Sequence, residues 1–162
     1  MIDATYITYF EQLARLHPAL QHAPDEKQKT FFLIQNPFDL VEMDNAVRNN
    51  DCSRVLLLDV PTGYLSDNGS ANYTQHTKID FFLLGKAGLE NIQAVRQDCF
   101  EIGLGLIQQL RADSISRKIS ARPIYLEEES IQYEPVGPIQ ASHYGYLFRL
   151  SLCSSFFWKS KF

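Results

Sequence analysis

Tyr73-Thr74-Gln75-His76-Thr77-Lys78-Ile79-Asp80-Phe81-Phe82-Leu83-Leu84 alternates in character with a period of two. Tyr73, Gln75, Thr77, Ile79, Phe81 and Leu83 share one face, and Thr74, His76, Lys78, Asp80, Phe82 and Leu84 share the other. Successive side chains on a strand point to opposite faces, so this period is a strand signal. The second face is polar over its first half, and both faces are apolar at the end. The pattern predicts a long strand over 73–84 that projects at one end and enters a core at the other. Gly85-Lys86-Ala87-Gly88 then reads as a turn. In residues 89–112, Ile92, Val95, Cys99, Ile102, Leu106 and Leu110 step by three or four, and Phe100 and Ile107 widen the stripe. This is an amphipathic helix of about 35 Å at ~1.5 Å per residue. Gly103 and Gly105 lie inside it at ~1 kcal/mol each against Ala, which predicts close approach of another backbone.

The flanking segments fit around these two elements. Residues 3–16 carry Tyr6, Phe10, Leu13 and Ala14 on one stripe, with Asp3 as a cap and Pro18 as the stop, giving a short N-terminal helix. Residues 17–30 read as a loop, and Phe31-Phe32-Leu33-Ile34 as a strand. Residues 38–48 read as a helix capped by Asn36 with Pro37 in its first turn. Val55-Leu56-Leu57-Leu58 is an apolar run that fits a strand covered on both faces. Residues 61–72 hold Pro61, Gly63, Gly69 and several Asp, Asn and Ser, with Asp67-Asn68-Gly69 as a turn signal, and read as a long, polar, hairpin-like connection. Residues 114–122 are a basic connection. A strand begins at Pro123 and resumes at 131–133, Pro135, Gly137 and Pro138 make a turn, and 144–153 alternates as a final strand. The order α, β, α, β, β, α, β, β predicts an α+β fold. It has an antiparallel or mixed sheet, one long amphipathic helix packed across it and a short N-terminal helix.

Of 162 residues, 45% are hydrophobic and 21% charged, with a formal net charge of −4. This suits one ordered domain over 1–162 and offers no basic footprint for nucleic acid or a membrane surface. No apolar run approaches a membrane span, and the N-terminus shows no secretory pattern. Three scattered cysteines, Cys52, Cys99 and Cys153, fit free thiols in a reducing compartment. Cys99 and Cys153 read as buried small hydrophobes.

His17, His22, His76 and His143 fall in no metal-ligand spacing. His76 and Asp80 share a strand face but stand roughly 13 Å apart along it. Glu127-Glu128-Glu129 reads as a solvated strand edge whose charge discourages edge pairing. With Asp80 and His76, these carboxylates are the one chemical cluster a small α+β enzyme or ligand-binding domain could use. Gly103-Leu104-Gly105 lacks the rest of a dinucleotide fingerprint, and no nucleophile elbow or phosphate loop occurs. We therefore assign no catalytic residue, no cofactor and no metal. Two interaction signals are left. One is the 61–72 connection with its projecting strand, expected to pair with a neighbouring subunit. The other is the aromatic C-terminus, Phe156, Phe157, Trp158 and Phe162, which packs on its own domain or lies in an interface.

Ile79-Asp80-Phe81-Phe82-Leu83-Leu84 leading into helix 89–112, then Pro135-Val136-Gly137-Pro138 and Tyr144-Gly145-Tyr146-Leu147-Phe148-Arg149-Leu150, resembles tail-terminator and tail-completion proteins of phages and prophage tails. The resemblance is one of topology and covers most of the chain. It implies a non-enzymatic structural subunit, oligomeric and in contact with other tail proteins. Such a protein would be cytoplasmic or virion-associated.

Overall fold

The computed structural model describes residues 2–48 and 50–158. The chain forms α1 (Ile2–Leu16), β1 (Phe31–Ile34), α2 (Leu40–Val47), β2 (Arg54–Asp59), β3 (Thr62–Asp67), β4 (Tyr73–Lys86), α3 (Ile92–Ile115), β5 (Ile124–Ile139) and β6 (His143–Phe156). One mixed sheet of six strands runs β1-β2-β4-β6-β5, with β3 also on β4. β1 and β2 are parallel and joined through α2, and every other pair is antiparallel. This is the α+β fold that the periodicities predict.

β4 is the axis of the sheet because it has partners on both edges. β6 pairs with it along its whole length, from Tyr73↔Phe156 to Lys86↔His143. On the other edge β2 takes the inner half, through Leu58↔Phe81 and Leu56↔Leu83, and β3 takes the outer half, through Thr62↔Lys78 and Tyr64↔His76. Leu56, Leu58, Ile79, Phe81, Leu83, Phe148, Leu150 and Leu152 turn to one face and bury against α1 and α3. Ile34, Val55, Leu57, Phe82, Leu84 and Leu147 turn to the other and bury against Met43 and Val47 of α2. α2 is only eight residues long, about 12 Å at ~1.5 Å per residue. It covers one end of that second face, and the remainder carries polar side chains.

Several expectations change. The 61–72 connection contains a strand, β3, and only residues 68–72 turn the chain. The projecting half of β4 pairs within its own sheet on both edges, so the edge left unpaired belongs to β3. α2 is capped by Asp39, whose carboxylate accepts from the N–H groups of Val41 and Glu42 at 3.0 and 3.2 Å. Asn36 instead gives its backbone N–H to Glu42 Oε2 at 3.0 Å. Residues 124–139 form one strand rather than two pieces and a turn. β5 is an edge strand, where a proline has no inward N–H to lose. Its bulge between Glu127 and Gln132 is satisfied by Ser130, whose hydroxyl accepts from Ser151 N–H at 2.8 Å and donates to the Glu127 carbonyl. Asp3 lies within α1 rather than ahead of it; its side chain falls outside the described atoms, as does all of Phe162.

Candidate functional site

The uncovered half of the α2-side face is built from four strands. β3 gives Tyr64 and Ser66, β4 gives His76, Lys78 and Asp80, β6 gives Arg149, Ser151 and Cys153, and β5 gives Tyr125 and Glu127. The registers fix this order: Tyr64↔His76, His76↔Cys153 and Tyr125↔Cys153 form one row, and Lys78↔Ser151 and Glu127↔Ser151 the next. β4 and β5 are two strand spacings apart, roughly 10 Å. Their side chains can meet across β6 only because β6 presents the short residues Ser151 and Cys153 there.

They do meet at His76. Nδ1 of His76 lies 2.9 Å from Glu127 Oε1, and Nε2 lies 2.9 Å from Ser66 Oγ. A carboxylate oxygen only accepts, so the proton of the neutral ring sits on Nδ1 and points at Glu127. Nε2 is then an acceptor, and the Ser66 hydroxyl donates to it. The Tyr64 ring stacks on the imidazole at 4.6 Å and 9° between planes, which fixes the plane of the ring. Lys78 Nζ stands over the Tyr64 ring, 5.8 Å from its centroid. The His76 side chain is 16% exposed and that of Glu127 34%, so the chain of hydrogen bonds is half-sheltered at the surface. Beside it, burial and then the Glu127 charge push the Cys153 thiol up, which holds it protonated.

A second polar group lies where this face meets α2. Asp59 ends β2 and is 2% exposed. One of its oxygens accepts from Phe38 N–H at 3.3 Å, and the other has no partner among the described residues. Burial raises its carboxyl to about 6; the charges of Asp80 and Glu42 add to the rise, and the Phe38 N–H and Arg149 oppose it. Burial also raises Asp80, against Arg149 and Lys78. Arg149 reaches Glu134 at 3.3 Å and lies over the Phe38 ring at 5.3 Å.

His76 and Glu127 both belong to the cluster singled out in the sequence, and the register of the sheet brings these two together. Asp80 does not join them; it stands beside Arg149 across the strand pair. The acidic run is not simply a solvated edge: Glu127 serves His76, Glu128 meets Arg111 at 2.5 Å, and Glu129 is exposed. Cys99 is buried as expected, with its thiol pushed up to about 12 by burial, whereas Cys153 is only half-buried. His22 is a buried structural histidine whose Nδ1 accepts from both Thr30 and Phe31 N–H at 3.0 Å. Burial lowers its pKa, and that of His143 as well. Ser66 and Tyr64 were missed because they sit in the segment read as a connection. Their signal was the alternating Thr62-Gly63-Tyr64-Leu65-Ser66 run facing 73–78 across Asp67-Asn68-Gly69, a hairpin turn sequence.

Among the described residues no group of three or more His, Cys, Asp or Glu side chains could hold a metal ion, and no helix is long and apolar enough to cross a membrane. Comparison with protein-family models and with curated proteins finds no match to this chain.

Proposed function

We propose that the chain is a structural subunit of a phage- or prophage-like tail. In this reading it works through oligomerisation and contacts with other tail proteins, in the cytoplasm or on a virion. The observation that carries the reading is the outer edge of β3. Among the described residues the sheet has three edges, β1, β3 and β5. β1 is only four residues long, and β5 is blunted by its bulge, by Pro135 and Pro138 and by Glu127 to Glu129. Shortness, bulges, prolines and charge are the usual protections against edge pairing.

β3 has none of them between Thr62 and Ser66. It pairs on one side only among the described residues, and Tyr64 and Leu65 are exposed on its two faces. Antiparallel pairing of β3 with β3 of a second copy would join two sheets and give those side chains partners. The C-terminal aromatics extend the same end. Trp158 packs edge-on against Tyr73 and Phe156 yet stays 67% exposed, as does Phe157.

Light scattering over a concentration series tests this. The parent chain is expected to associate as concentration rises. The double variant Thr62→Lys, Leu65→Lys, which places charge on the edge, is expected to stay monomeric. A parent chain that remains monomeric throughout, and that binds no tail-tube protein, defeats the reading.

A further inference from the structure

We propose that Ser66, His76 and Glu127 form an acyl-transfer site in which Ser66 is the nucleophile and the substrate is a carboxylic ester. The inference goes beyond assembly and does not depend on it. The pairing edge uses the backbone of β3, whereas this site uses side chains on one face of β3, β4 and β5.

A serine hydroxyl is a weak nucleophile unless a base takes its proton, and the base works only if it is held in the right tautomer. Both conditions are met at 2.9 Å. Glu127 fixes the Nδ1 proton and Tyr64 fixes the ring plane, so Nε2 faces Ser66 with its lone pair. The three residues come from three different strands, and Ser130 anchors the Glu127 backbone across the bulge. Cys153 is the competing nucleophile, but burial first and the Glu127 charge second push its thiol up, which disfavours the thiolate.

The chemistry balances without another cofactor. Ser66 Oγ bonds to the ester carbonyl carbon as its proton passes to His76 Nε2. The C–O bond to the alcohol breaks, and His76 gives the proton to the departing oxygen. Water then attacks the acyl-Ser66 carbonyl, losing its proton to His76, and the acid leaves as Ser66 recovers its hydrogen. The cavities bordered by Lys29 and Asn45, by Gln132 and Arg149, by Thr8 and Lys118, and by Leu40 and Pro138 are not lined by Ser66, His76 or Glu127. The site lies on an open sheet face, so it takes an ester that needs no enclosing cavity. Ser66 and His76 act on the substrate; Glu127 is a positioning residue.

The test is covalent. The full chain is incubated with a fluorophosphonate probe, the adduct is mapped by mass spectrometry, and turnover of 4-nitrophenyl acetate is followed in parallel. The adduct is expected on Ser66 and to be absent from Ser66→Ala. His76→Gln should slow labelling roughly 100-fold or more, the usual scale for a lost general base. Glu127→Gln should slow it by about tenfold, and Glu127→Asp should recover part of that loss, with melting temperatures of all variants close to the parent's. Ser116→Ala should label like the parent. Absence of an adduct, an adduct on another serine, or labelling of Ser66 that ignores His76→Gln overturns the proposal. None of these outcomes bears on the concentration dependence that tests assembly.

Discussion

A Cβ on Gly103 would lie 2.1 Å from Cε2 of the Phe148 ring. Gly103 faces the sheet in the middle of α3, and Phe148 stacks on Phe81 beneath it with 5.1 Å between centroids. The glycine expected to admit another backbone therefore admits an aromatic ring instead. Gly105, two residues on, has nothing within 4 Å of a built Cβ. The two substitutions should have opposite signs. Gly103→Ala overpacks a buried ring and should cost about 1–3 kcal/mol. Gly105→Ala adds a good helix former in open space and should stabilise by about 0.5–1 kcal/mol. Denaturant melts of the pair decide it; equal shifts would contradict the packing described.

Ile102 and Gln97 sit on opposite sides of α3, the first buried in the main core and the second exposed. Ile102→Asp puts a charge where it has no partner, which is among the most destabilising single changes. We expect loss of cooperative folding or a fall of more than about 4 kcal/mol. Gln97→Asp should stay within about 0.5 kcal/mol of the parent. Thermal unfolding followed by circular dichroism reads both.

Asp59 gives the fold a definite pH dependence. Its carboxyl is raised from 3.8 to about 6 in the folded chain, first by burial. A raised acid binds its proton more tightly folded than unfolded. Its stabilising contribution is therefore complete below about 3.8 and is lost as pH rises to about 6 and beyond. At about 1.4 kcal/mol per pH unit the loss is roughly 3 kcal/mol. Asp59→Asn, which keeps the shape and stays neutral, should raise the melting temperature at pH 7.5 and leave it nearly unchanged at pH 4. A gain of equal size at both values would show that the charge is not the cause.

The residues that set the fold were legible because their burial is periodic. β4 alternates, and the Ile92-Val95-Cys99-Ile102 stripe faces the sheet. β3 was hidden by its own turn chemistry. Pro61, Gly63 and Asp67-Asn68-Gly69 dominate a short segment. β5 was cut at Pro135 because a proline forbids a central strand but not an edge one, and position in the sheet is not a local property. The His76–Glu127 contact depends on Ser151 and Cys153 being short on the strand between them. That is a condition on register, and no spacing within the chain expresses it.

The one-sided pairing of β3 has a consequence for how its amides meet solvent. In an antiparallel pair, successive N–H groups of a strand point alternately toward the partner and away from it. The inner part of β4 from Phe81 to Gly85 lies between β2 and β6 and is paired on both sides, so hydrogen exchange along 81–85 should be slow at every position. Along β3 it should alternate, one amide protected and the next exchanging at nearly the rate of an open chain. That two-residue rhythm would vanish wherever another strand docks on β3, which makes the exchange pattern itself a readout of when the edge is filled.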